Sequence, residues 1–199
     1  CAQWLMRRSM RLPSGPPGWL ASEPAVRQTL AAGAALVTFS GDKLLAGPQA
    51  GVIAGRADLI EKCAAHPLYR VARPGGLVLG ALQEVALAYL DRRAHELPFW
   101  QMATAPLDGL RERAGAIAAS VERATAVTCS SVAGGGALPG VEIPSWGLAL
   151  PGDERAALRA TRPKPIIART RHGETLLDLR TVTAADDAAV AAALSTVTG

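Results

Sequence analysis

An α/β chain carrying a small α+β domain toward its C-terminal end is the architecture this sequence predicts. Three observations carry the prediction. A short apolar run at 34–39 lies between two helical patterns, the alternation of a layered α/β unit. A long helical stretch at 77–92 sets Leu79, Leu82, Val85, Ala86 and Tyr89 at helical spacing. Beyond Thr125 the pattern changes to strands and turns.

Taken in order, residues 1–18 show no period and end in the breaker cluster Pro13-Ser14-Gly15-Pro16-Pro17-Gly18, which predicts an irregular segment. Ser22 is placed to cap a helix with Glu23 and Pro24 in its first turn and Gly33 at its end. A buried strand at 34–39, a loop at 40–47, a strand at 48–54 with Val52 and Ile53, and a helix at 56–66 follow. Pro67 closes that unit, and 68–76 reads as a loop with the breaker Pro74-Gly75-Gly76. The long helix at 77–92 leads through a linker at Leu97-Pro98 to another at 107–123. Strands are predicted at 126–129, 141–150, 164–170 and 175–179, with a hairpin turn at His172-Gly173. Helices are predicted at 153–161 and 184–197. The domain expectation is therefore an irregular 1–18, a first domain with its connector helix over 19–105, and a small α+β domain over 106–199.

Composition narrows the function classes. Among 199 residues, 49% are hydrophobic and only 4% aromatic, so the cores are aliphatic. The net charge of +4 suits a polyanionic partner, but the cations are spread along the chain instead of massed in one run. Cys1, Cys63 and Cys129 are odd in number and lack zinc-type spacing, the pattern of reduced thiols in a cytoplasmic protein. His66, His95 and His172 have no acid or cysteine at ligand spacing, so no metal site is expected. No apolar segment approaches the roughly 18 residues of a membrane helix, and no secretory signal is present, so a soluble protein without membrane contact is expected. A chain that opens on Cys1 and not on methionine is expected to be truncated or processed.

Lysine is rare here: Lys43, Lys62 and Lys164 stand against 18 arginines. Lys43 sits in Ser40-Gly41-Asp42-Lys43-Leu44-Leu45-Ala46-Gly47-Pro48-Gln49-Ala50-Gly51, directly after the apolar run. An amine, unlike a guanidinium, loses its proton readily and forms an imine. A cleft that desolvates it would lower its pKa toward catalytic use, and neighbouring glycines would let a flat cofactor approach the backbone. The alternative is a solvated loop lysine. Arg70 and Arg73, three apart, suit a clamp on a tetrahedral oxyanion, or are simply solvated. The run Gly134-Gly135-Gly136 lacks the lysine and hydroxyl pair of a phosphate loop and is read as a hinge or tight turn.

The segment around Lys43 resembles the pyridoxal-phosphate lysine segment of bacterial L-seryl-tRNA(Sec) selenium transferases. The resemblance continues through His66-Pro67-Leu68-Tyr69-Arg70-Val71-Ala72-Arg73, the helix 79–90, the glycine-rich run 134–145 and the ending 176–182, covering about residues 20–185. Ala46 stands where the family usually has glycine, which reads as a mild change. Pro74-Gly75-Gly76 replaces the usual Asp-Lys, and Ser14-Gly15 is at most a remnant of an upstream Gly-Ser-Gly run.

The resemblance implies the second half of a fold-type-I pyridoxal-phosphate transferase large domain, followed by its small C-terminal α+β domain. It implies that Lys43 binds pyridoxal 5'-phosphate covalently and acts as base and acid, with Asp42 beside it and Gly47 and Gln49 shaping the cofactor pocket. It implies that Arg70 and Arg73 hold selenophosphate. Seryl-tRNA(Sec) is the implied acceptor in selenocysteine biosynthesis, in a cytoplasmic homo-oligomer built from dimers. The family's N-terminal portion, with the groups that grip cofactor ring and phosphate, is not identifiable here. Two further readings stay open: a related pyridoxal-phosphate lyase acting on a small amino acid or amino sugar, and a non-catalytic truncated remnant.

Overall fold

The computed structural model describes residues 17–20, 23–134 and 137–198. The expected irregularity of most of 1–18, the Ser22 cap, and Gly135 and Gly136 of the triple glycine lie outside them. The chain is a mixed α/β protein whose residues group into two compact units. One comprises the chain up to Gln101 together with Ala133–Val141, the other Met102–Val132 and Glu142–Gly199.

The first unit opens with α1 (Val26–Ala31), which leads into β1 (Leu36–Ser40). β1 pairs antiparallel with β2 (Gly51–Gly55) in a register from Leu36 opposite Gly55 to Ser40 opposite Gly51. Next come α2 (Ala57–Ala65) and α3 (Pro67–Ala72). The helix α3 corrects the loop expected over 68–76. Pro67 supplies a preset φ at the first turn, and His66 Nδ1 accepts the Leu68 N–H at 3.2 Å, so breaker and cap together start a helix. α4 (Gly76–Leu90) follows, then a 3-10 turn at Ala94–Glu96 and α5 (Pro98–Ala103), which replaces the linker expected at Leu97-Pro98.

Helix α4 is apolar on nearly all sides, yet buries only Val85, Ala88 and Tyr89 fully. Leu77 is 93% exposed and Leu90 71%, and on α3 Val71 is 83% exposed. A helix hydrophobic all round belongs in the middle of a larger core.

The second unit carries a four-stranded antiparallel sheet in the order β3-β4-β6-β5, with β3 Thr125–Val132, β4 Glu142–Pro151, β5 Arg169–Arg171 and β6 Glu174–Asp178. Helices α6 (Leu107–Ser120), α7 (Arg155–Ala160) and α8 (Asp187–Thr198) complete it. Leu110, Ala114 and Ile117 of α6 form one helical stripe against Leu148, Leu150, Leu177 and Leu179 of the sheet side and Val190 and Leu194 of α8. Each such leucine stabilises the unit by about 1.5–3 kcal/mol. Arg113 reinforces the same packing, donating to both Asp187 carboxylate oxygens at 2.9 and 2.7 Å and to the Val182 carbonyl at 2.9 Å.

The expected strand at 164–170 shrinks to Arg169–Arg171. Pro163 and Pro165 have no N–H for a ladder, and the Ile166 N–H instead bonds the Leu158 carbonyl at 3.0 Å, turning Ile166 and Ala168 onto the core. The hairpin turn does fall at His172-Gly173, where φ values of 52° and 81° suit a two-residue loop between twisted strands. Arg180 is 6% exposed and donates to the carbonyls of Met102 and Ala105 at 3.0 Å and of Pro144 at 2.5 Å. Burial lowers its pKa, and the Asp178 carboxylate partly offsets that. Among the described residues no helix is long and apolar enough to cross a membrane.

Two glycine substitutions should separate in sign. A Cβ at Gly147 would sit 2.3 Å from the Leu177 carbonyl oxygen, whereas one at Gly80, inside α4, meets nothing within 4 Å. Urea unfolding is expected to show Gly147→Ala destabilised by about 3 kcal/mol. Gly80→Ala is expected to gain about 0.5–1 kcal/mol from the helical preference for alanine.

Candidate active site

Lys43 lies in the loop joining β1 to β2, and that loop is an ordered object. The Gly41 N–H bonds the Ala50 carbonyl at 2.7 Å and the Gly47 N–H bonds the Gly41 carbonyl at 2.9 Å. Within it, Ala46 N–H donates to the Lys43 carbonyl at 2.8 Å, closing a turn over residues 43–46. Leu44 is 5% exposed and anchors the turn inward. The Lys43 amine is left partly open, 38% exposed over its side chain, and donates to Asp42 Oδ2 at 3.3 Å. A pair this exposed contributes little to stability; its effect is on where the amine points.

One stripe of α4 is given to this loop. Leu82 packs beside Gly41 and Gly47, where added Cβ atoms would lie 3.2 and 3.3 Å from its Cδ2, and Val85 lies under Gly47. A Cβ on Gly41 would also meet the Pro48 carbonyl oxygen at 2.7 Å. The space freed at Gly41 and Gly47 is therefore filled by the protein's own atoms, while Gly51 faces open space. One turn further along α4, the Tyr89 hydroxyl donates toward the carbonyls of Leu44 (3.3 Å) and Leu45 (3.2 Å). It accepts the Trp100 Nε1–H at 2.7 Å. Trp100 is fully buried, stacked on Trp19 with centroids 6.2 Å apart and edge-on to Phe99 at 4.8 Å. Burial pushes the Tyr89 phenol up to about 12, against the smaller opposing effect of the Trp100 hydrogen bond.

Ala46 adopts φ of 62°. The exchange of the family's usual glycine for alanine, a mild change on sequence grounds, therefore falls on a left-handed position that costs a side chain about 1–2 kcal/mol. Sequence reasoning grouped Tyr89 with the apolar stripe and passed over Trp100. The available signal was a phenol on the apolar stripe of a largely aliphatic helix, since a buried tyrosine needs a partner.

The remaining predicted residues fall as follows. Asp42 and Gly47 share the loop with Lys43, and Gln49 is in it with an exposed side chain. Arg70 occupies the last turn of α3 and Arg73 is its C-cap, both exposed. Among the described residues neither guanidinium pairs with a carboxylate or bonds the lysine loop. Also among the described residues, no group of three or more His, Cys, Asp and Glu could hold a metal. The other two lysines sit apart: Lys62 is in the last turn of α2, and Lys164 is paired with Asp186 in the second unit.

Known proteins resemble this chain over most of its length. A family model described as L-seryl-tRNA selenium transferase matches residues 17–183. The L-seryl-tRNA(Sec) selenium transferase of Moorella thermoacetica is 38% identical over 190 residues, covering 88% of this chain and 40% of that protein. That of Rhizobium meliloti (strain 1021) is 42% identical over 177 residues, covering 81% and 38%. A solved D-glucosaminate-6-phosphate ammonia-lyase shares the fold, with a TM-score of 0.58 at 24% identity over 84% of this chain and 44% of that one. The chain spans about two fifths of the length of the curated relatives it matches.

Two outcomes test the loop. Ala46→Gly should raise stability by about 1 kcal/mol, read as a urea midpoint shift with unchanged slope. Because the Tyr89 phenol is raised above its ordinary value, its contribution is complete below pH 10 and is lost as pH climbs toward 12. Stability should fall by about 2–3 kcal/mol across that window. Tyr89→Phe should flatten the decline; an equally steep decline in the variant would assign it elsewhere.

Proposed function

Because the chain belongs to the L-seryl-tRNA selenium transferase family, we propose that it carries the C-terminal, lysine-bearing part of a pyridoxal-phosphate enzyme converting seryl-tRNA(Sec) to selenocysteinyl-tRNA(Sec). The observation that supports this most directly is the presentation of one amine, Lys43, on an ordered hairpin loop inside the matched region. The proposed architecture is the second half of a fold-type-I large domain followed by a small C-terminal α+β domain. The uncovered apolar surface of α3 and α4 supports it, since such a surface is expected where a larger domain continues.

The residues present fit the covalent part of cofactor binding. Lys43 offers a primary amine that is neither sealed in the core nor free on a flexible tail, with Asp42 in contact to steer it. Gly47 and Gln49 flank the same loop. In this reading the groups gripping the ring and phosphate belong to the part of the family's length that lies outside this chain. When bound, the cofactor supplies an electron sink for chemistry at the amino-acid α carbon.

Lys43 then has two tasks. Its unprotonated amine takes the proton from the seryl α carbon, and the resulting ammonium donates a proton to the departing hydroxyl. The overall change forms a C–Se bond where the C–O bond breaks, the hydroxyl leaving as water, and cleavage of the P–Se bond of selenophosphate by water releases orthophosphate. Arg70 and Arg73, three residues apart and without carboxylate partners among the described residues, would hold the selenophosphate oxygens by charge-assisted bonds. The whole protein is proposed to act in the cytoplasm as a homo-oligomer built from dimers.

Incubation of the chain with pyridoxal phosphate, borohydride reduction and peptide mapping should place one label on Lys43, absent from Lys43→Ala. Label missing from Lys43, or shared evenly with Lys62 and Lys164, would overturn the assignment. In the family-length protein, Arg70→Ala and Arg73→Ala should each raise the KM for selenophosphate by roughly 10- to 100-fold while leaving the Lys43 adduct intact.

A further inference from the structure

Among the described residues, the Lys43 amine is hydrogen-bonded to the neighbouring Asp42 and not to the helix that carries its loop. What holds the loop is the backbone of the next residues. The carbonyls of Leu44 and Leu45 point to one hydroxyl, that of Tyr89, forty-five and forty-four residues away. That hydroxyl has a single proton to share between two carbonyls and accepts the indole N–H of Trp100, which fixes its direction. Trp100 is itself immobilised between Trp19 and Phe99. The residue that follows the two carbonyls, Ala46, is held at φ of 62°, a conformation an alanine leaves unless its surroundings impose it.

We propose that Tyr89, oriented by Trp100, is a positioning residue for Lys43: its hydroxyl clamps the 43–46 turn and so sets where the amine is presented. This rests on the reading of Lys43 as the reactive amine, and it names the element that aims it. The geometry is suited to the task. A hydroxyl bonded to main-chain oxygens constrains the backbone without touching the amine, leaving Lys43 free to exchange partners while its Cα stays put. The stripe Leu82, Val85, Tyr89 gives the clamp three footholds on one helix face, two apolar and one polar.

The three lysines allow a test within a single molecule, with no cofactor present. Limiting acylation followed by peptide mapping gives the rate at Lys43 relative to Lys62, which is exposed, and Lys164, which is paired with Asp186. In the unaltered chain Lys43 should react more slowly than Lys62. Tyr89→Phe should raise the Lys43 rate about three- to tenfold with the other two unchanged. Adding Ala46→Gly, which removes the conformational penalty of the turn, should bring it back toward the starting value. A Lys43 rate unchanged in folded Tyr89→Phe overturns the proposal, as does a rise that Ala46→Gly leaves untouched.

Should Tyr89→Phe unfold, seen as all three lysines reacting alike, hydrogen exchange in the unaltered chain decides. The Ala46 and Gly47 amides should then be protected together with the α4 amides around Tyr89, and independent exchange of the turn would overturn the clamp. Failure here leaves the pyridoxal-phosphate labelling of Lys43 intact, so the two readings fall separately.

Discussion

The first unit depends on one buried hydroxyl. Tyr89 sits where a helix, a hairpin loop and an aromatic cluster meet, and its oxygen is bonded on each side. Removing it would strand two carbonyls and an indole N–H, each of which costs about 1–3 kcal/mol when buried without a partner. Aliphatic packing alone would hold the loop near α4 but would leave its rotation open. The polar bonds remove that freedom, and the glycines at 41 and 47 let the helix come close enough for the bonds to form.

The same helix shows why the unit looks unfinished. Its Leu82, Val85 and Tyr89 stripe is spent on the loop, while Leu77, Leu79, Leu87 and Leu90 on other faces meet solvent. About 25 cal/mol per Å2 of apolar surface is forgone wherever such side chains stay wet. The curated relatives are about two and a half times longer than the matched stretch, so this is a surface that chain beyond the matched region would be suited to cover. The second unit is different in kind: Leu148, Leu150, Leu158, Leu179 and Leu194 are all without exposed area, and its sheet is closed by α6 and α8.

Much of this was readable from residue order. The His172-Gly173 turn and the helix read at 107–123 report their local structure because backbone sterics and periodicity act over a few residues, whereas Pro67, read as closing a unit, opens α3 instead. The loop around Lys43 was legible as a motif for the same reason. The tie between Tyr89 and Leu44 was not, because no short-range pattern records which carbonyl a distant hydroxyl will meet. The left-handed Ala46 was hidden too, since alanine gives no sign of a conformation it does not favour. Over 164–168 the strand reading failed because prolines without N–H groups turned Ile166 toward the core instead of a ladder.

Arg180 draws a consequence from chain order. Its guanidinium serves carbonyls at Met102, Ala105 and Pro144, so residues 36 to 78 positions earlier share one donor that follows them in the chain. Until Arg180 is made those oxygens lack this donor, and β4 lacks its neighbour β6. The hairpin bearing Lys43, by contrast, closes over a span of fewer than twenty residues. The strand pairing that frames the lysine loop is thus local, while the bonds that gather Met102, Ala105 and Pro144 wait on a residue made well after them.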